Sequence, residues 1–209
     1  MMVLSLDESE LLVVVNLEDP ESIVALYSLL HWPKRAMVEV RVLPFLKAPL
    51  NTATDVPKGA PAFEAYKARR ASARRRYQDQ ENVRNLERLG RSGGWEMTDS
   101  GALLGHDILI ELFLRKASLD RVLEFVSEVL KVTQKIDARV VNQVVGALGL
   151  RSDSGFEDHD VLTRRPRLIE LSEQLESQGV LSAPSLLFRG EAYLGYGHLP
   201  QIESMIASQ

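Results

Sequence analysis

The stretch Gln178-Gly179-Val180-Leu181-Ser182-Ala183-Pro184-Ser185-Leu186-Leu187-Phe188-Arg189-Gly190-Glu191-Ala192-Tyr193-Leu194-Gly195 holds two short runs, Ser185 to Phe188 and Glu191 to Leu194, on either side of Arg189-Gly190. A glycine there supplies the positive φ of a tight turn, so the two runs read as an antiparallel hairpin. Upstream, Leu168, Ile169, Leu171 and Leu175 recur at helical spacing from Pro166 to Gln178, and Gly179 ends that helix. Downstream, Ile202, Met205 and Ile206 mark a last helix.

The other end of the chain supplies the partner strands. Leu11 to Leu17 is an apolar run broken only by Asn16, which suits a central strand buried on both faces. It stops at Glu18-Asp19-Pro20-Glu21-Ser22, where Asp19 can cap a helix and Pro20 fits its first position. That helix carries Ile23, Leu26, Tyr27 and Leu30 on one stripe and ends at Trp32-Pro33. From Met37 to Phe45, Val38, Val40 and Val42 alternate with Glu39 and Arg41, the period of a strand with one polar side. Strand, helix and strand imply a parallel crossover.

Between these ends lies a block read as entirely helical. Residues 47 to 61 are loop-like in composition, Ala62 to Leu89 is a charged helix, and Gly90 to Gly94 breaks it. Ala102 to Leu114, Asp120 to Val132 and Ala138 to Leu148 follow as helices, with Ser118 and Asp137 as caps and Gly149 as a stop. Arg151 to Asp160 reads as a surface loop.

This order of elements resembles that of thioredoxin-like proteins of the DsbA group. Gly179 to Phe188 looks like that group's Gly-Val-x-Gly-Val-Pro-Thr-Phe segment, and Arg189 to Gly195 resembles the hairpin that follows it. Leu17 to Ser22 lines up with the Ser-Pro segment of 2-hydroxychromene-2-carboxylate isomerases and kappa-class glutathione transferases, the branch the chain resembles most, and Pro44 to Asn51 resembles their next loop. The implied fold is α/β, thioredoxin-like, with a large all-helical insertion. Residues 1–60 and 161–209 would form the thioredoxin-like domain, and 61–160 the insertion.

The resemblance implies a site for glutathione and a small aromatic substrate between the first-helix start and the Pro184 loop. A cis Ala183-Pro184 bond would leave the Ala183 backbone free to pair with an extended ligand. Asn51 and Lys58 are the counterparts of the ligand-binding asparagine and lysine, and Tyr196 lies in the segment that would hold the γ-glutamyl end. The catalytic serine of those relatives is replaced by Asp19, and their Gly-Ser-Asp-Arg reads Gly195-Tyr196-Gly197-His198. Asp19 therefore has two readings: an N-cap alone, or a general base or cation ligand with Ser22 as its neighbour one turn on.

Composition narrows the chemistry. The chain has no cysteine, which removes dithiol-disulfide exchange, thiolate nucleophiles and cysteine-ligated metals. His31, His106, His159 and His198 are scattered without metal-ligand spacing and read as surface or boundary residues, so no metal is expected. A net charge of -4 gives no whole-molecule attraction to nucleic acid or anionic membrane, and no apolar run reaches the roughly 18 residues of a membrane span. Met1 to Glu10 lacks a basic start, so a cytoplasmic protein is expected.

Lys67, Arg69, Arg70, Arg74, Arg75 and Arg76 crowd one helical stretch between Tyr66 and Tyr77, with Lys67, Arg70 and Arg74 sharing a face; a solvated surface and a carboxylate-binding role both fit them. A homodimer is expected from the relatives and from the apolar Ile108 to Leu114 run. Two functions stand open: a glutathione-dependent isomerase or transferase, and a thioredoxin-like binding protein that has lost catalysis.

Overall fold

The computed structural model describes residues 9–46, 62–88, 95–131, 135–150 and 161–208. Strand β1 (Glu10–Val15) is followed by helix α1 (Pro20–Leu30) and strand β2 (Glu39–Pro44), then by the long helix α2 (Ala62–Arg88). A two-residue strand β3 (Glu96–Met97), helices α3 (Asp99–Leu114) and α4 (Leu119–Leu130), a two-residue strand β4 (Lys135–Ile136) and helix α5 (Ala138–Ala147) come next. Helix α6 (Val161–Ser177), strands β5 (Ser185–Phe188) and β6 (Glu191–Leu194) and helix α7 (Leu199–Ala207) complete the order.

The main sheet runs β2-β1-β5-β6. β1 lies parallel to β2, with Val13 opposite Val42, and antiparallel to β5, with Val13 opposite Leu186. Having neighbours on both edges and helices on both faces, β1 buries Leu11 to Val15 completely, which is why its sequence is apolar without alternation. Leu12 and Val14 join Leu43, Leu187, Leu103 and Ile110 of α3 and Leu168, Leu171 and Leu175 of α6 in one core. The alternate side chains of β1 point to the other face, and α1 packs against β1 and α4.

The chain divides into two compact units, one of residues 1–46 with 94–209 and one of 47–93. Helices α3 to α5 thus pack as part of the sheet's own unit, through α3 on β2 and α6 and through α4 on β2, whereas the sequence grouped them with 61–93. The middle block is not wholly helical either, because Glu96 and Met97 pair in parallel with Lys135 and Ile136. Two-residue strands carry no periodicity for a sequence to display.

Local chemistry accounts for most element ends. Thr98, Ser118 and Asp137 cap α3, α4 and α5 with side-chain oxygens on first-turn amides. Gly149 and Gly179 take positive φ beyond α5 and α6, and the hairpin turn has φ of 52° at Arg189 and 77° at Gly190. Helix α6 starts earlier than expected and keeps Pro166 within it. Arg151 to Asp160 lies outside the described residues.

Two expectations need correction. Arg41 does not face water as the alternation implied: it is 5% exposed, its Nη1 pairs with Glu10 at 3.2 Å and Glu39 at 3.4 Å, and its Nη2 donates to the Phe113 carbonyl at the end of α3. Its guanidinium also lies 4.3 Å from the Phe113 ring centroid, so the buried charge is matched on several sides. The Ile108 to Leu114 run, offered as a subunit interface, has Ile108, Leu109, Ile110 and Leu112 buried inside the chain, with Leu114 exposed.

Gly101 in α3 is fixed by this packing. A Cβ there would lie 2.3 Å from the Ile136 carbonyl oxygen, a backbone atom that has accepted the Thr98 amide at 2.9 Å. Gly101→Ala should therefore lower the free energy of unfolding by about 1–3 kcal/mol, against a change within about 0.5 kcal/mol for an exposed helical control. Urea denaturation followed by circular dichroism checks this, and equal midpoints for the glycine and alanine proteins would contradict it.

Candidate functional site

Where β1 ends, residues 16–19 turn the chain into α1 through a closed set of bonds. The Asp19 amide donates to the Asn16 carbonyl at 3.0 Å, and the Glu18 amide to Asn16 Oδ1 at 2.9 Å. Asp19 then caps α1: Oδ1 accepts from the Glu21 amide and Oδ2 from the Ser22 amide, both at 3.2 Å. The Ser22 hydroxyl donates to Asp19 Oδ2 at 3.0 Å and accepts the Asn16 amide at 3.0 Å. Ser22 is fully buried, so its hydroxyl spans the turn and fixes the carboxylate's orientation.

The same turn is gripped from outside by residues far along the chain. The Leu17 amide donates to His106 Nε2 at 3.0 Å, and the Leu17 carbonyl accepts from Trp95 Nε1 at 3.1 Å. Helix α3 approaches closely enough that a Cβ on Gly105 would come within 2.8 Å of Leu17 Cδ1. His106 is 0% exposed, which corrects its reading as a surface or boundary histidine. Because Nε2 accepts, the ring is neutral with its proton on Nδ1, an atom with no hydrogen-bond partner among the described residues. Burial pushes its pKa down to about 4.

The Ala183-Pro184 peptide bond is cis. The β1–β5 register ends at Val14 opposite Ser185, so Ala183-Pro184 enters β5 at the end of β1 that leads into α1. The Pro184 carbonyl accepts the Gly195 amide at 2.9 Å, and the Ser185 hydroxyl donates to the Ser182 carbonyl. Ala183, partly buried, enters none of these bonds. Gly195, at φ 82°, leads directly into the 3-10 turn Tyr196–His198, which sets Tyr196 near the proline loop.

The structure thus brings Asp19 and Ser22 into contact, sets Ala183 and Pro184 just before β5, the strand beside β1, and sets Tyr196 just after β6. Asn51 and Lys58 lie outside the described residues. Electrostatically the place is acidic: partial desolvation, then the Asp99 carboxylate at the start of α3, raises the pKa of Glu18. Among the described residues no group of three or more His, Asp or Glu side chains could hold a metal ion. The sequence gives no signal for Trp95, and for His106 only its place as a lone histidine in the apolar run of α3.

No protein-family model matches the chain, and no curated protein matches it. Among solved structures it is similar to a 2-hydroxychromene-2-carboxylate isomerase, with 13% sequence identity, a TM-score of 0.50 and 95% of each chain covered. The fold is thioredoxin-like, of the DsbA kind. At that identity the likeness speaks for the fold, and it extends over the helical segments as well as the sheet. No helix among the described residues is long and apolar enough to cross a membrane.

The His106 clamp carries a signature in stability. The unfolded histidine takes up its proton near 6.5 and the folded one only near 4, so its contribution is complete above pH 6.5 and is lost as pH falls from there toward 4. Over that window wild type should lose about 3 kcal/mol more than His106→Gln, which keeps an acceptor for the Leu17 amide and does not titrate. Urea midpoints from pH 7 to pH 4 measure the difference, and parallel pH profiles for the two proteins would refute the clamp as described.

Proposed function

We propose that the chain is an enzyme of the isomerase or glutathione-transferase type, working on a small aromatic substrate between the start of α1 and the cis-Pro184 loop. The observation that supports this reading is that the β1–β5 register ends at Val14 opposite Ser185, with the cis Ala183-Pro184 bond just before β5 at the end of β1 that leads into α1. Its support from comparison is the similarity over 95% of both chains to a 2-hydroxychromene-2-carboxylate isomerase.

The residues fit only part of glutathione. The Ala183 backbone suits an extended peptide-like ligand. Asp19 does not suit its thiolate, because it puts a carboxylate against the first-turn amides of α1, where an anion would otherwise be stabilised. Of the two activities, these residues support isomerisation by proton transfer better than conjugation of a thiolate. Asp19 is instead the group placed to take a proton from the substrate and return it at another atom, which isomerises without net oxidation, and Ser22 holds the carboxylate in position for it.

The second reading, a binding protein without catalysis, is favoured by one specific observation. Both Asp19 oxygens and the Ser22 hydroxyl are engaged in holding the turn. Calorimetric titration of reduced glutathione into wild type and Asp19→Ser separates the two. Binding by wild type is the result expected of the enzyme. Binding by Asp19→Ser alone would mean that the aspartate has closed an inherited ligand site, and heat from neither protein would end the glutathione reading.

A further inference from the structure

Helix α2 holds eight Lys and Arg against four Asp and Glu, a local charge of +4 in a chain whose total is -4. From Tyr66 to Tyr77 it has six cations and no acid. At 100° per residue, Phe63, Tyr66, Lys67, Arg70, Arg74 and Tyr77 fall within about 100° of arc. Phe63, Tyr66 and Tyr77 are 64%, 55% and 65% exposed, and the buried side chains among those described on this helix, Asn82 and Leu86, project outside that arc, about 110° and 150° from its centre. Cations and aromatics are therefore interleaved on one exposed face, and the Lys67 ammonium already stands 4.4 Å from the Phe63 ring centroid.

Solubility alone explains exposed arginines; it does not explain three large exposed aromatic rings among them. We propose that this face of α2 binds single-stranded nucleic acid, with Lys67, Arg70 and Arg74 on the phosphates and Phe63, Tyr66 and Tyr77 stacking bases. Successive cations on the face are about 4.5 and 6 Å apart along the axis, a spacing that follows a strand laid along the helix. The chain's net charge of -4 does not forbid it, because α2 itself carries +4 and the field that an exposed strand meets at physiological salt is set by charges within about 8 Å of it. The chemistry favours nucleic acid over a membrane surface, since the face carries no Leu, Ile or Val with which to enter a bilayer.

The test is fluorescence anisotropy of a labelled 20-nucleotide oligo-uridine with the full chain. The expected result is binding with a log-log salt slope of about -2, for three phosphates neutralised on a single strand. Arg70→Gln with Arg74→Gln should flatten that slope, and Tyr66→Ala with Tyr77→Ala should weaken binding by roughly tenfold or more at unchanged slope. Each pair is on the exposed face, and circular dichroism confirms that the helix is kept. Three results would overturn the proposal: no binding at low salt, binding indifferent to the two tyrosines, or binding to phosphatidylserine vesicles in preference to the oligonucleotide.

Discussion

One residue, Leu17, organises the end of the sheet where the candidate site lies. The Leu17 N–H is held by His106 and its C=O by Trp95, so the first residue after Asn16 is fixed in both directions by side chains of the α3 region. A backbone group leaving a central strand has lost its ladder partners and, once buried, must find others. Here they come from a neutral imidazole and an indole, aromatic side chains that serve a backbone group while adding apolar bulk. The position of Asp19, and hence of the whole α1 entrance, depends on that grip.

Its cost falls on the histidine. Accepting at Nε2 places the proton on Nδ1, which is buried without a partner among the described residues, and such a donor costs about 1–3 kcal/mol. The fully buried ring stays neutral far below its ordinary range. The close fit of α3 around Leu17 through Gly105, and on Ile136 through Gly101, offsets this with packing that larger residues could not achieve. The turn itself is closed by the Asn16–Ser22–Asp19 bonds, so the same atoms that would perform chemistry also hold the fold.

Much of the frame was legible in the sequence because it is local. The apolar run of β1, the Asp19-Pro20 helix start, the Arg189-Gly190 turn and the glycines after α5 and α6 each act within a few residues, and the structure has them where the pattern put them. What could not be read depends on distance along the chain. The Leu17–His106 bond spans 89 residues and the Trp95–Leu17 bond 78. Arg41 obeyed the alternation of a half-exposed strand until the end of α3 closed over it with the Phe113 carbonyl and ring. Of the site, Asp19, Ser22, Ala183 and Pro184 were visible as motif residues, but the engagement of Ser22 with two backbone-fixed partners was not.

A neutral His106, protonated on Nδ1, accepts the Leu17 amide and so sets the entrance to α1. Nitrogen-15 spectroscopy of the imidazole, with detection of the coupling across the hydrogen bond, addresses it directly. The expected result is the Nδ1–H tautomer from pH 8 to pH 5 and a coupling between His106 Nε2 and the Leu17 amide. A ring protonated on Nε2, or one already charged at pH 6, would contradict it.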